Sequence, residues 1–178
     1  MTAFLRYLGI LNAALWLGAA VFLIIGLPAL FSDEFKTGFF GPGAPYFAGL
    51  AAQRILARFF ILQYWCGGVG LAHLTLEWLY CNKPLVQRNL GLLAVLIGLA
   101  LVGGLWMQPK LEGLHRQMYY GATRAAQDGA GRAFKAWHLV SECGNLIAIG
   151  GLLVYLWRAS RSGEHARFER SNPGKIRG

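Results

Sequence analysis

Apolar and polar positions follow one another along this chain in long blocks. Four charge-poor stretches, Leu8 to Leu30, Phe59 to Cys81, Leu90 to Gln108 and Ala136 to Trp157, are built almost entirely from Leu, Ile, Val, Ala, Gly and aromatic residues. A helix rises about 1.5 Å per residue, so about 20 residues cross a hydrocarbon core of ~30 Å. Each stretch predicts one transmembrane helix. Together they predict an all-α fold, an integral membrane four-helix bundle over residues 1–158, followed by a basic tail at 159–178 that is expected to be mobile. The first stretch is about twice the length of a secretory apolar core and ends in Leu27-Pro28-Ala29-Leu30-Phe31 without a small-x-small cleavage pattern, so it reads as a retained helix.

The two halves of the pattern match. The first helix meets Pro28 and the third meets Pro109 at the same membrane face. The second and fourth then open alike: Arg58-x-Phe60-x-x-x-Tyr64 aligns with Arg132-x-Phe134-x-x-x-His138, and six residues on Gly70 aligns with Gly144. Two parallel-related helical hairpins account for this, with Tyr64 and His138 at one depth. Between the hairpin's helices, Phe39, Phe40, Tyr46 and Phe47 among Gly41, Pro42, Gly43 and Pro45 predict an aromatic interfacial turn, with Pro45 opening a second helix well outside the lipid. Past Pro109, Leu111, Leu114 and Met118 recur at helical spacing. The third helix is expected either to continue there or to lie flat on the surface, and Gly121, Gly129 and Gly131 to break it.

Composition places the chain in a membrane: 56% of residues are hydrophobic and 14% charged. The net charge of +9 does not mark a nucleic-acid binder, because the cations sit at helix ends and in the tail. Arg6, the turn from Lys83 to Arg88 and the tail arginines lie at the termini side. Their juxtamembrane placement predicts both termini in the cytoplasm of a cell (inner) membrane, the inverted orientation being the alternative. The three cysteines provide no disulfide framework and no metal-ligand spacing.

The fourth stretch carries the candidate chemistry. His138, Ser141, Glu142 and Asn145 stand at i, i+3, i+4 and i+7, one stripe of a helix, in a run that is otherwise apolar. An ionisable group at membrane depth must face protein, water or a ligand. The stripe is expected in the outer half of the bundle, facing the second helix. Tyr64 and Arg132 join the candidate polar site. The competing structural explanations are helix–helix hydrogen bonding for Ser141 and Asn145, the latter to a carbonyl or the Trp16 indole, and an ion pair from Glu142 to His138, Arg58 or Arg132.

No cofactor is called for by the spacing, and haem and a metal ion stand as alternatives. His73 and His138 lie on the order of 20 Å apart along the membrane normal and cannot share one iron, which leaves either as a single haem ligand. His73 otherwise reads as a hydrogen-bonded buried histidine near Thr75 and Glu77. Glu112 with His115 at i+3 and His138 with Glu142 at i+4 could place two metal-ligand pairs on adjacent helices, although a di-iron bundle needs a second Glu-x-x-His. There is no Ser-His-Asp order, phosphate loop or pair of catalytic carboxylates, so an enzyme is not the favoured reading.

Trp16-x-Gly18, the Pro28 exit and Arg132-x-Phe134-x-x-x-His138-x-x-Ser141-x-x-x-Asn145-Leu146 resemble the bacterial four-helix domain of unknown function related to transmembrane protein 205. The resemblance spans about residues 5 to 158, and the layout is more distantly similar to the copper-resistance protein D group. It implies a four-helix architecture, with Arg132, Phe134, His138, Ser141 and Asn145 matching the family pattern and Glu142 outside it. The reading that follows is a multi-pass membrane protein that binds or passes a proton, a metal ion or a small polar solute. A haem-binding or redox protein is one alternative. An accessory subunit of a larger membrane complex is the other, so that the lipid bilayer and a membrane-protein partner or second copy are the expected partners, and nucleic acid is not.

Overall fold

The computed structural model describes residues 2–35, 38, 43–81 and 87–161, and all its regular elements are helical. Helix α1 (Thr2–Gly26) ends where Pro28 enters a 3-10 turn, Leu27–Phe31, followed by a single helical turn at Asp33–Phe35. Helix α2 spans Ala44–Cys81. Helix α3 (Gln87–Leu101) runs through a π-helical turn, Val102–Met107, into α4 (Gln108–Tyr120), and α5 occupies Arg124–Arg161. The basic tail lies outside the described residues, as do Phe39, Phe40, Gly41 and Pro42 of the aromatic turn.

Four rods are long and apolar enough to cross a membrane: Phe4–Phe31, Ala44–Tyr80, Gln87–Tyr120 and Arg124–Ser160, of 28, 37, 34 and 37 residues. At about 1.5 Å per residue the last three measure roughly 50 Å, well beyond a hydrocarbon core of ~30 Å. They outreach α1 at the end away from the termini, here the far end. The third rod continues through Pro109 instead of lying flat, because Pro at the first positions of α4 needs no backbone N–H donor. Gly121 ends that rod in extended backbone, at φ −61° and ψ 144°. Gly129 and Gly131, expected to break the chain, lie inside α5 instead. Packing of α4 along α5 outweighs their low helix propensity.

The helices form a ring. Helix α1 packs on α2 and α5, and the third rod packs on the same two, which makes α2 and α5 diagonal partners. The sequence placed the polar stripe facing the second helix. In the ring α5 faces α2 across the bundle interior and is not packed beside it, because each hairpin closes on itself and the two then pair side by side. Small residues set the distances. Ala13, Trp16 and Ala20 of α1 meet Phe59 and Cys66 of α2, Leu93 and Leu96 of α3, and Ala148, Leu152 and Tyr155 of α5 in one core. Asn12 donates from Nδ2 to the Cys66 carbonyl at 2.9 Å, a buried polar link between α1 and α2. At the termini end, Arg6 donates to the Ser160 carbonyl at 3.0 Å, and Arg158 donates to the Arg88 carbonyl at 3.3 Å and to Asn89 Oδ1 at 3.4 Å.

Candidate functional site

The polar stripe of α5 divides into two edges. At about 100° per residue, Ser141 lies about 20° and Asn145 about 60° from buried Ala148, with His138 about 80° and Glu142 about 120° away. The first two reach the interior. They line a pocket of about 100 Å³ together with Gly144, Val140 and Ala148 of their own helix, Leu56, Phe59, Phe60 and Gln63 of α2, Leu23 of α1, and Leu99, Val102, Gly103 and Met107 of the third rod.

Gln63 is the residue that sequence reasoning missed. Its signal was present, a lone carboxamide in an apolar run, but only the diagonal placement of α2 and α5 sets it opposite Ser141 and Asn145. Gln63 is 6% exposed. No hydrogen bond joins the side chains of Gln63, Ser141 or Asn145 to another described residue, and Asn145 does not reach the Trp16 indole. The pocket wall beside α5 is shaped by the π turn. A Cβ on Gly103 would come 2.6 Å from Phe60 Cε1, and one on Gly104 would overlap the Tyr64 hydroxyl. Tyr64 therefore packs on the glycine pair beside the pocket, and π turns of this kind recur at functional sites.

The other edge faces outward. His138 Nε2 lies 3.2 Å from Glu142 Oε1, with the side chains 50% and 58% exposed. The partner of Glu142 is thus His138 within α5, and neither Arg58 nor Arg132 fills that place; Arg132 is exposed. The level is marked by Trp106 and Trp137, edge to face at 5.2 Å, with the Lys110 ammonium 4.2 Å from the Trp137 ring centre. A Trp–Lys group of this kind belongs at a membrane–water interface. His138 follows Trp137 directly, and Gly104, under Tyr64, lies two residues from Trp106.

Beyond that level the rods are joined by stacked rings. Tyr46 stacks on His115 at 5.5 Å and 13°, His115 meets Phe134 at 5.8 Å, and Phe134 stacks on His138 at 5.8 Å and 9°. Tyr119 and Tyr120 pack edge-on against Tyr46. His115 is buried against Gly49, and burial pushes its imidazole below the ordinary histidine value; burial likewise raises the Tyr119 phenol. The metal reading joined Glu112 and His115 to His138 and Glu142. The structure puts the Phe134 ring between the two imidazoles and pairs Glu112 with Arg116 at 3.4 Å. Among the described residues no three His, Cys, Asp or Glu side chains gather as a metal site.

His73 differs from expectation. It is buried under Gly9 of α1, where a Cβ would come 2.7 Å from its Nε2, and neither ring nitrogen has a hydrogen-bond partner among the described residues. Thr75 does not serve it, because its hydroxyl donates to the Leu71 carbonyl at 2.9 Å. The ring edge that carries Nε2, which a haem iron would need, is packed on α1.

No curated protein and no solved structure matches this chain. A family described as a domain of unknown function, DUF4149, matches residues 11–120. That segment includes most of α1, all of α2 and the third rod, and hence Gln63, Tyr64, Gly103 and Gly104; it stops before α5, so Ser141 and Asn145 lie outside it. With well over half of its length matched, the chain belongs to the DUF4149 family.

Proposed function

We propose that this is a non-enzymatic multi-pass membrane protein that binds or passes a small species through the pocket between α2, α5 and the π turn. One observation supports this above the rest. Three neutral polar side chains, Gln63, Ser141 and Asn145, converge on a pocket whose other walls are apolar, and none is spent on helix–helix hydrogen bonding. Polar groups in a membrane bundle normally find one another or a carbonyl, as Asn12 does. Tyr64 and the His138–Glu142 pair stand beside the pocket toward the far end. The likeness of the α5 motif to the domain related to transmembrane protein 205 agrees with a membrane role. It adds no activity.

The pocket is testable without knowing its ligand. In a background lacking Cys66, Cys81 and Cys143, a Ser141→Cys variant in lipid vesicles should react with a small membrane-permeant thiol reagent, and a second change, Gln63→Trp, should slow that reaction at least about tenfold by filling the space. An inert Ser141→Cys thiol would remove the pocket reading.

A further inference from the structure

The pocket's lining restricts what it can hold. It contains no Lys, Arg, His, Asp or Glu. A bare ion brought here would lose its water and meet no opposite charge, a cost that three neutral side chains among apolar walls do not offset as a full ring of carbonyl oxygens would. Its polar groups are two carboxamides and a hydroxyl, which together offer five N–H or O–H donors, by the ordinary inventory of these side chains. None of these donors is spent on another described residue, so a ligand that brings acceptors meets them. A carbonyl oxygen supplies acceptors without adding charge.

The opening of the pocket points to the same kind of molecule. Val102 on the π turn and Val140 on α5 both line it, and they are 53% and 49% exposed. The side of the pocket that they form therefore lies on the apolar outer surface of the bundle. Val140 is three residues past Trp137, on the bilayer side of the Trp106–Trp137 level. A ligand that enters past these two valines enters from lipid. Inside, Phe59, Phe60 and Met107 offer flat and polarisable apolar walls.

We infer that the pocket takes a neutral, membrane-dissolved amphiphile whose carbonyl-bearing ring or head is held by Gln63, Ser141 and Asn145 and whose apolar body leaves between Val102 and Val140. This rests on the pocket reading above and narrows it from any small species to a lipid-borne carbonyl compound. No bond is made or broken; the ligand is held by hydrogen bonds and apolar contact.

The test compares two probes on the full chain in detergent micelles: decyl-benzoquinone, which carries two ring carbonyls, and decylbenzene, which carries none. Radiolabelled decyl-benzoquinone should bind saturably at about one per chain, and decylbenzene at least about tenfold more weakly, the effect of one to two buried hydrogen bonds. Replacing Gln63 and Asn145 together by Leu should weaken the quinone at least about tenfold and leave decylbenzene unchanged. Because the probe comparison uses the unaltered protein, a variant that fails to fold does not decide the result. Equal affinity for both probes, or no saturable quinone binding, overturns the inference. If the Ser141→Cys thiol still reacts, only the ligand class falls; if it is inert as well, the pocket falls with it.

Discussion

His115 shows how a single side chain is defined by its neighbours. In the sequence it is one position of a Glu-x-x-His spacing; in the structure it is a ring stacked between Tyr46 and Phe134 and set on Gly49. Burial lowers its folded-state pKa, so the unfolded chain binds a proton more readily. Its contribution is complete above the unfolded value of about 6.5 and is lost as pH falls through the lower folded value. Thermal unfolding in detergent should therefore show a midpoint that drops as the pH falls below about 6.5, and His115→Phe should flatten that drop. An unchanged acid dependence in the variant would assign it to other groups. Gly49 is tied to the same ring, since a Cβ there would overlap the imidazole. Gly49→Ala should lower stability by about 1–3 kcal/mol, the usual cost of overpacking a tight contact. Histidine spacing was legible in the sequence. Phe134 standing between the imidazoles was not, because ring order across two helices depends on their relative rotation.

At the level of elements, length separates what crosses the bilayer from what projects beyond it. Apolar runs located the four helices able to cross a bilayer, but the ends of α2, α4 and α5 lie in mixed sequence whose helicity comes from packing on one another. Gly129 and Gly131 are the clearest case: local propensity argues for a break, and the helix runs through both. A Cβ on Gly129 would meet nothing within 4 Å, and the helix interior accepts alanine more readily than glycine. Gly129→Ala should therefore stabilise the protein by about 0.5–1 kcal/mol, read as a higher midpoint in thermal or denaturant unfolding. A loss of stability would mean that this glycine serves a contact or a bend. The π turn in the third rod is the opposite kind of feature. Gly103 and Gly104 are visible as a pair, but the wider turn that fits them under Phe60 and Tyr64 appears only in three dimensions.

For the whole molecule, four rods in series set the first and last helix ends at one end of the bundle, and the Arg6 bond to Ser160 ties them together. If the juxtamembrane arginines hold that end in the cytoplasm, a cysteine at exposed Ala122, in the turn between α4 and α5, should be labelled from outside intact cells by an impermeant thiol reagent. Labelling only after lysis would establish the inverted orientation. The sequence by itself determined the number of helices long and apolar enough to cross a membrane and the stripe at His138, Ser141, Glu142 and Asn145, because helix period and hydropathy are local properties. It also held the glycine and proline signals, with uneven success: Pro28 and Gly121 end helices, and Gly129 and Gly131 do not. Only the tertiary structure decided which edge of the stripe is buried and which residue of α2 stands opposite. That choice depends on which helices become neighbours in the ring, a consequence of how two hairpins pack. It sends His138 and Glu142 to the surface and brings Gln63 to Ser141 and Asn145.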